Sequence, residues 1–139
     1  MKTERFSFKN KGEIFDSAAS MHDCSFTATY ENETLTVTFD HLEQYYGPYS
    51  DTPWFGDFKK LTIKYFGVSY LDLNLKYRKK EQDYYNTLSP LDGKELIMFG
   101  YAIDSFEAMR LQFRVYYIRK RGWSGTIEIS PTDIEYIWE

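Results

Sequence analysis

Cysteine occurs once in this 139-residue chain, at Cys24, so no disulfide can close within it and no cysteine-based metal motif can be assembled. Four prolines and eight glycines, thinly spread, exclude a collagenous repeat and leave no linker to divide the chain. No apolar run reaches the length that a membrane-spanning helix needs. Positive charge is short too: 17 basic against 21 acidic residues give a net charge of −4, which opposes approach to a polyanion. Neither a nucleic acid nor a membrane is therefore expected as a partner. Met1-Lys2-Thr3-Glu4-Arg5-Phe6 has no continuous apolar stretch of the secretory kind, and with a lone thiol the expected location is cytoplasmic. A phosphate loop, a dinucleotide fingerprint and a metal-spaced Cys/His set are all missing, so no cofactor and no metal is implied.

Aromatic residues are abundant instead. Thirteen Tyr, eleven Phe and three Trp make up 19% of the chain within a 42% hydrophobic total, which excludes intrinsic disorder and coiled coil. Residues 1–139 read as one β domain. Period-two alternation dominates, most clearly from Met109 to Ile118 and from Tyr70 to Arg78; in the latter Leu71, Leu73, Leu75 and Tyr77 share one face. The other face, with Asp72, Asn74, Lys76 and Arg78, must be wet. Cys24 to Tyr30 and Leu35 to Phe39 read as a hairpin, with Asn32 in a left-handed turn and five threonines on its outer face. Further strands are expected over Glu4 to Phe8, Lys59 to Phe66, Glu95 to Ile103, Thr126 to Ser130 and Ile134 to Trp138. Arg119 to Gly125 reads as a hairpin loop, and Glu13 to Ser20 and Asp104 to Met109 leave room for a helical turn or two. The fold class is all-β and mainly antiparallel: a single-domain barrel or sandwich of about eight or nine strands with little helix.

The most reactive-looking triplet is His22-Asp23-Cys24, which brings together the parts of a thiol nucleophile system. Alternation places Cys24 beside Phe26, Ala28 and Tyr30, where a cysteine behaves as a small apolar core residue. Carboxylate pairs are plentiful (Asp51 with Asp57, Asp92 with Glu95, Glu128 with Glu135), but none has a diagnostic spacing, because hydrolysis by two carboxyls needs a spatial cleft. Lys76 to Lys80 and Arg119 to Arg121 are basic clusters at strand ends, where such charges keep edges soluble and hinder edge-to-edge pairing.

The segment from Tyr45 to Phe58 is longer than a simple connection requires. Tyr45, Tyr46, Tyr49, Trp54 and Phe55, with Asp51 and Asp57, form the candidate binding residues, since Tyr and Trp offer stiff contact area with a polar tip. The same aromatics would serve as a lid folded over one end of the core, and the sequence leaves both readings open.

Met21-His22-Asp23-Cys24-Ser25-Phe26, then Glu31 to Val37, and the closing Asp133-Ile134-Glu135-Tyr136-Ile137-Trp138-Glu139 resemble small bacterial all-β proteins with a His-Asp-Cys hairpin entrance, some of them immunity-protein-like. The resemblance covers about a quarter of the chain and implies an intracellular bacterial β protein without known catalysis. It carries over no functional residues. The leading functional expectation is a non-enzymatic module that engages a protein partner through the aromatic segment, an immunity-like role included. The alternatives are a small-molecule or carbohydrate-binding β-barrel and a carboxylate hydrolase using Asp51 with His22 or His41.

Overall fold

A computed structural model describes residues 1–7, 25–40, 58–105, 110–116 and 122–139. Ten strands follow one another along these residues: β1 (Lys2–Ser7), β2 (Ser25–Glu31), β3 (Thr34–Phe39), β4 (Leu61–Phe66), β5 (Leu71–Tyr77), β6 (Lys80–Tyr85), β7 (Leu96–Ser105), β8 (Arg110–Tyr116), β9 (Trp123–Ile129) and β10 (Asp133–Trp138). The only helical feature among the described residues is a 3-10 turn, Ser89–Leu91, with Pro90 as its second residue. Asp104 and Ser105, which open the segment expected to hold a helical turn, instead end β7.

Every strand pairing is antiparallel, in the order β1-β10-β4-β3-β2-β7-β8-β9-β5-β6. Because β1 and β6 do not pair with each other, the barrel alternative falls and the fold is an open, sandwich-like pair of sheets. The first layer is β1-β10-β4-β3-β2 and the second is β7-β8-β9-β5-β6. They are joined where Ser25 and Phe26 of β2 pair with Ile97 and Leu96 of β7.

Alternation explains the core. Leu35, Val37 and Phe39 of β3, Leu61, Ile63 and Tyr65 of β4, and Ile134, Tyr136 and Trp138 of β10 point inward from the first layer. Leu71 and Leu73 of β5, Leu111, Phe113 and Val115 of β8, and Ile127 and Ile129 of β9 meet them from the second. The threonine face is also present, with Thr27 opposite Thr38 and Thr29 opposite Thr36 on the outside of the β2–β3 hairpin. Asn32 and Glu33 both have positive φ (51° and 58°), the two-residue turn whose twist suits a hairpin.

Two elements differ from the sequence reading. The strand β6, sequence Lys80-Glu81-Gln82-Asp83-Tyr84-Tyr85, gives no buried-face alternation and adds a tenth strand to the expected nine. The strand β9 begins at Trp123, so Gly125 lies inside it rather than in a loop. Gly125 faces inward where a Cβ would sit 3.0 Å from Leu75 Cδ2 and 3.3 Å from the Asn74 carbonyl oxygen, a close approach that favours glycine. Trp123 is accordingly buried rather than a loop residue.

Candidate functional site

The sheet register gathers polar side chains on the outer face of the second layer. The strand β5 contributes Asp72 and Asn74, between β6 on one side and β9 on the other. Asp72 lies opposite Tyr85 of β6 and Glu128 of β9, and Glu128 lies opposite Gln112 of β8. One row along, Asn74 lies opposite Asp83 and Thr126. Asp72, Asn74, Asp83, Gln112, Thr126 and Glu128 line a shallow depression of about 280 Å³. The β5–β6, β5–β9 and β8–β9 ladders carry no register shift, so side-chain placement follows directly from pairing.

One wall is well supplied with donors. Arg110 Nη1 donates to Glu128 Oε1 at 3.1 Å, and its guanidinium lies 4.1 Å from the centre of the Tyr70 ring. Gln112 Nε2 makes a longer contact, 3.5 Å, to Glu128 Oε2. Glu128 is thus held on both oxygens. On the opposite wall the Asn74 amide bridges two carboxylates, donating to Glu81 Oε1 at 2.8 Å and to Asp83 Oδ1. Asp72 is treated differently: its Oδ1 is buried and has no hydrogen-bond partner among the described residues.

Burial of Asp72 pushes its carboxyl above the usual carboxylate range and the negative charge of Asp83 pushes the same way, while Arg110 partly opposes both. The Tyr70 hydroxyl is raised by burial and then by Asp72 and Glu128. The Tyr85 hydroxyl is raised chiefly by the charge of Asp83 and then by Asp72. The field of the depression is therefore negative despite Arg110. It is suited to a donor-rich cation such as a guanidinium or ammonium group, whose charge would relieve the repulsion between Asp72 and Asp83. Among the described residues, no group of three or more His, Cys, Asp or Glu side chains is arranged to hold a metal ion.

The residues singled out from the sequence are distributed differently. Tyr45, Tyr46, Tyr49, Asp51, Trp54, Phe55 and Asp57, together with His22, Cys24, His41 and Arg119 to Arg121, lie outside the described residues, as does the Glu13 to Ser20 segment. Phe58, at the end of the aromatic segment, is half-buried and packs on the core. Glu128 and Glu135 are not brought together: Glu135 sits on the first layer opposite Arg5 and Lys64, whereas Glu128 sits on the second. The basic cluster Lys76 to Lys80 wraps the β5–β6 turn, with Arg78 at φ 57° and its guanidinium 5.2 Å from the Tyr77 ring centre. Lys76 faces the acidic side, 3.9 Å from Glu81.

Asp72, Asp83, Glu128 and Arg110 are the residues that sequence reasoning did not assemble. The polar half of each alternating strand was visible; the register that joins them was not. Comparison with known proteins adds no relative: no family model, no curated protein and no solved structure matches this chain.

Proposed function

We propose that this protein is a non-enzymatic binding module that engages a protein partner through the acidic outer face of its second layer. The observation that carries the reading is Asp72. Its carboxylate is partly buried, with an inaccessible Oδ1 left unpartnered among the described residues, and is pressed by Asp83; that charge repulsion costs stability in the free protein and is relieved by a cationic side chain settling over the two carboxylates. Glu128, already held by Arg110 and Gln112, shapes the wall rather than offering a free base. A partner's Lys or Arg is the group that fits, and the field outside the depression would speed its approach. The likeness of the hairpin entrance and closing strand to immunity-like proteins points in the same direction, and the aromatic segment from Tyr45 to Phe58 is proposed as a supporting apolar contact.

Capture from the source cell's lysate by the unmodified protein and by the Asp72→Asn/Asp83→Asn double variant tests the reading. A partner retained by the first and weakened tenfold or more in the second is expected. Equal retention by both, or none by either, would overturn it.

A further inference from the structure

The open side of the second layer is β6, exposed at every position except the half-buried Tyr84. Its inner side is bonded to β5 from Lys80 opposite Tyr77 to Tyr85 opposite Asp72, and among the described residues no strand pairs with its outer side. The phase of the ladder is fixed by the Asn86 N–H, which donates to the Leu71 carbonyl at 3.0 Å. Opposed pairs in an antiparallel ladder alternate between those that exchange bonds and those that do not. Tyr84 with Leu73, Gln82 with Leu75 and Lys80 with Tyr77 are then the exchanging pairs. The backbone groups of Glu81, Asp83 and Tyr85 consequently point away from β5, toward the side on which no described strand pairs. Their side chains lie on the acidic outer face, as the bonds from Asn74 to Glu81 and Asp83 establish.

The two free edges of the sandwich differ in charge. On β1, Lys2 pairs with Glu4 at 3.1 Å and Arg5 with Asp133 at 3.8 Å, so the charges are compensated within the fold. On β6, Glu81 lies 3.9 Å from Lys76, but Asp83 has no cation within ion-pair distance among the described residues, and it adjoins the charged Asp72. An antiparallel second copy of β6 centred on Glu81, Gln82 or Asp83 would set carboxylate against carboxylate, which disfavours self-pairing.

We propose that β6 accepts an extended segment of a partner protein by strand addition, and that this segment carries Lys or Arg at alternate positions opposite Glu81 and Asp83. The proposal rests on the acidic-face reading and specifies its mode. Main-chain bonds to Glu81, Asp83 and Tyr85 supply the attachment, and the alternating carboxylates select the sequence. Tyr85, 60% exposed, gives the added strand an aromatic neighbour at the next position.

The full chain is titrated with the capped synthetic peptide Thr-Lys-Val-Lys-Val-Thr and with its counterpart bearing Glu in place of Lys, following amide hydrogen exchange by NMR. The Lys peptide is expected to bind and to slow exchange at Glu81, Asp83 and Tyr85 at least tenfold, the Glu peptide to do neither. Glu81→Pro, which removes one outward N–H and spares the bonds of Lys80 and Gln82 to β5, should weaken binding tenfold or more. The charge-neutral Glu81→Gln/Asp83→Asn variant, which keeps the backbone, should do the same. Binding of the Lys peptide without slowed exchange at those amides overturns strand addition while the acidic-face reading stands. Failure of the Lys peptide to bind overturns it, and so does slowed exchange without peptide accompanied by a doubled mass, which would put a second copy on the edge. The acidic-face reading fails separately, through unchanged lysate capture by Asp72→Asn/Asp83→Asn.

Discussion

Tyr65 of β4 and Phe113 of β8 meet edge-on across the two layers, their ring centres 5.3 Å apart and their planes at 66°. Both are almost fully buried, so the pair pins one sheet to the other at the middle of the core. Phe113→Ala removes this contact and leaves a cavity, and is expected to cost about 3 to 5 kcal/mol in urea unfolding. A cost below about 1 kcal/mol would show that the layers are held together elsewhere.

Asp72→Asn is expected to stabilise the protein at neutral pH. The folded state raises the Asp72 carboxyl, so it binds the proton more tightly than the unfolded chain does. Its contribution is therefore favourable below the unfolded value of about 3.9 and is lost as pH rises through the raised folded value. The Asn variant escapes that loss. Its melting temperature should exceed that of the unmodified protein at pH 7 by an amount worth at most about 1 kcal/mol, because solvent at this partly exposed position screens the repulsion. The difference should vanish below about pH 3.9. A pH-independent difference would separate the effect from titration of Asp72.

Arg110→Ala takes the guanidinium from Glu128 and from the Tyr70 ring together. A loss of about 1 to 2 kcal/mol is expected, with Arg110→Lys intermediate because an ammonium lacks the planar fork that stacks and pairs at once. Since Arg110 opposes the upward shift at Asp72, an NMR titration of the Ala variant should find the Asp72 carboxyl raised further.

Trp54→Ala combined with Tyr49→Ala distinguishes the two readings of the aromatic segment. The expected result is an unchanged melting temperature with loss of partner capture. Unfolding of the variant would instead make these rings part of the core, as Phe58 partly is.

Much of the fold was legible because most strands bury one face. Leu35, Val37 and Phe39 alternating with threonines, or Leu111, Phe113 and Val115 with Gln112 and Arg114, announce both the strand and its inward side. The strand β6 gives no such sign, since an edge strand exposed along almost its whole length needs no apolar alternation, and Asp83 and Tyr85 were hidden with it. Asp72 and Asn74 were correctly placed on a wet face. Their meeting with Thr126, Glu128 and Gln112 depends on pairings between segments far apart in sequence, which no local pattern encodes. Trp123 and Gly125 resembled loop residues because glycine punctuates turns, yet at Gly125 the missing side chain serves close packing against Leu75.

The pairing of Lys2 with Trp138 sets an order of assembly. The second layer is drawn from consecutive strands, β5 through β9, whose partners become available as soon as β9 is made. The first layer must wait for β10, which stands between β1 and β4, so those two strands remain without their shared neighbour throughout the synthesis of the second. Long-range closure of this kind slows folding and leaves hydrophobic strand faces open in the meantime. Folding intermediates should therefore show exchange protection in β8 and β9 before it appears in β10 and β1.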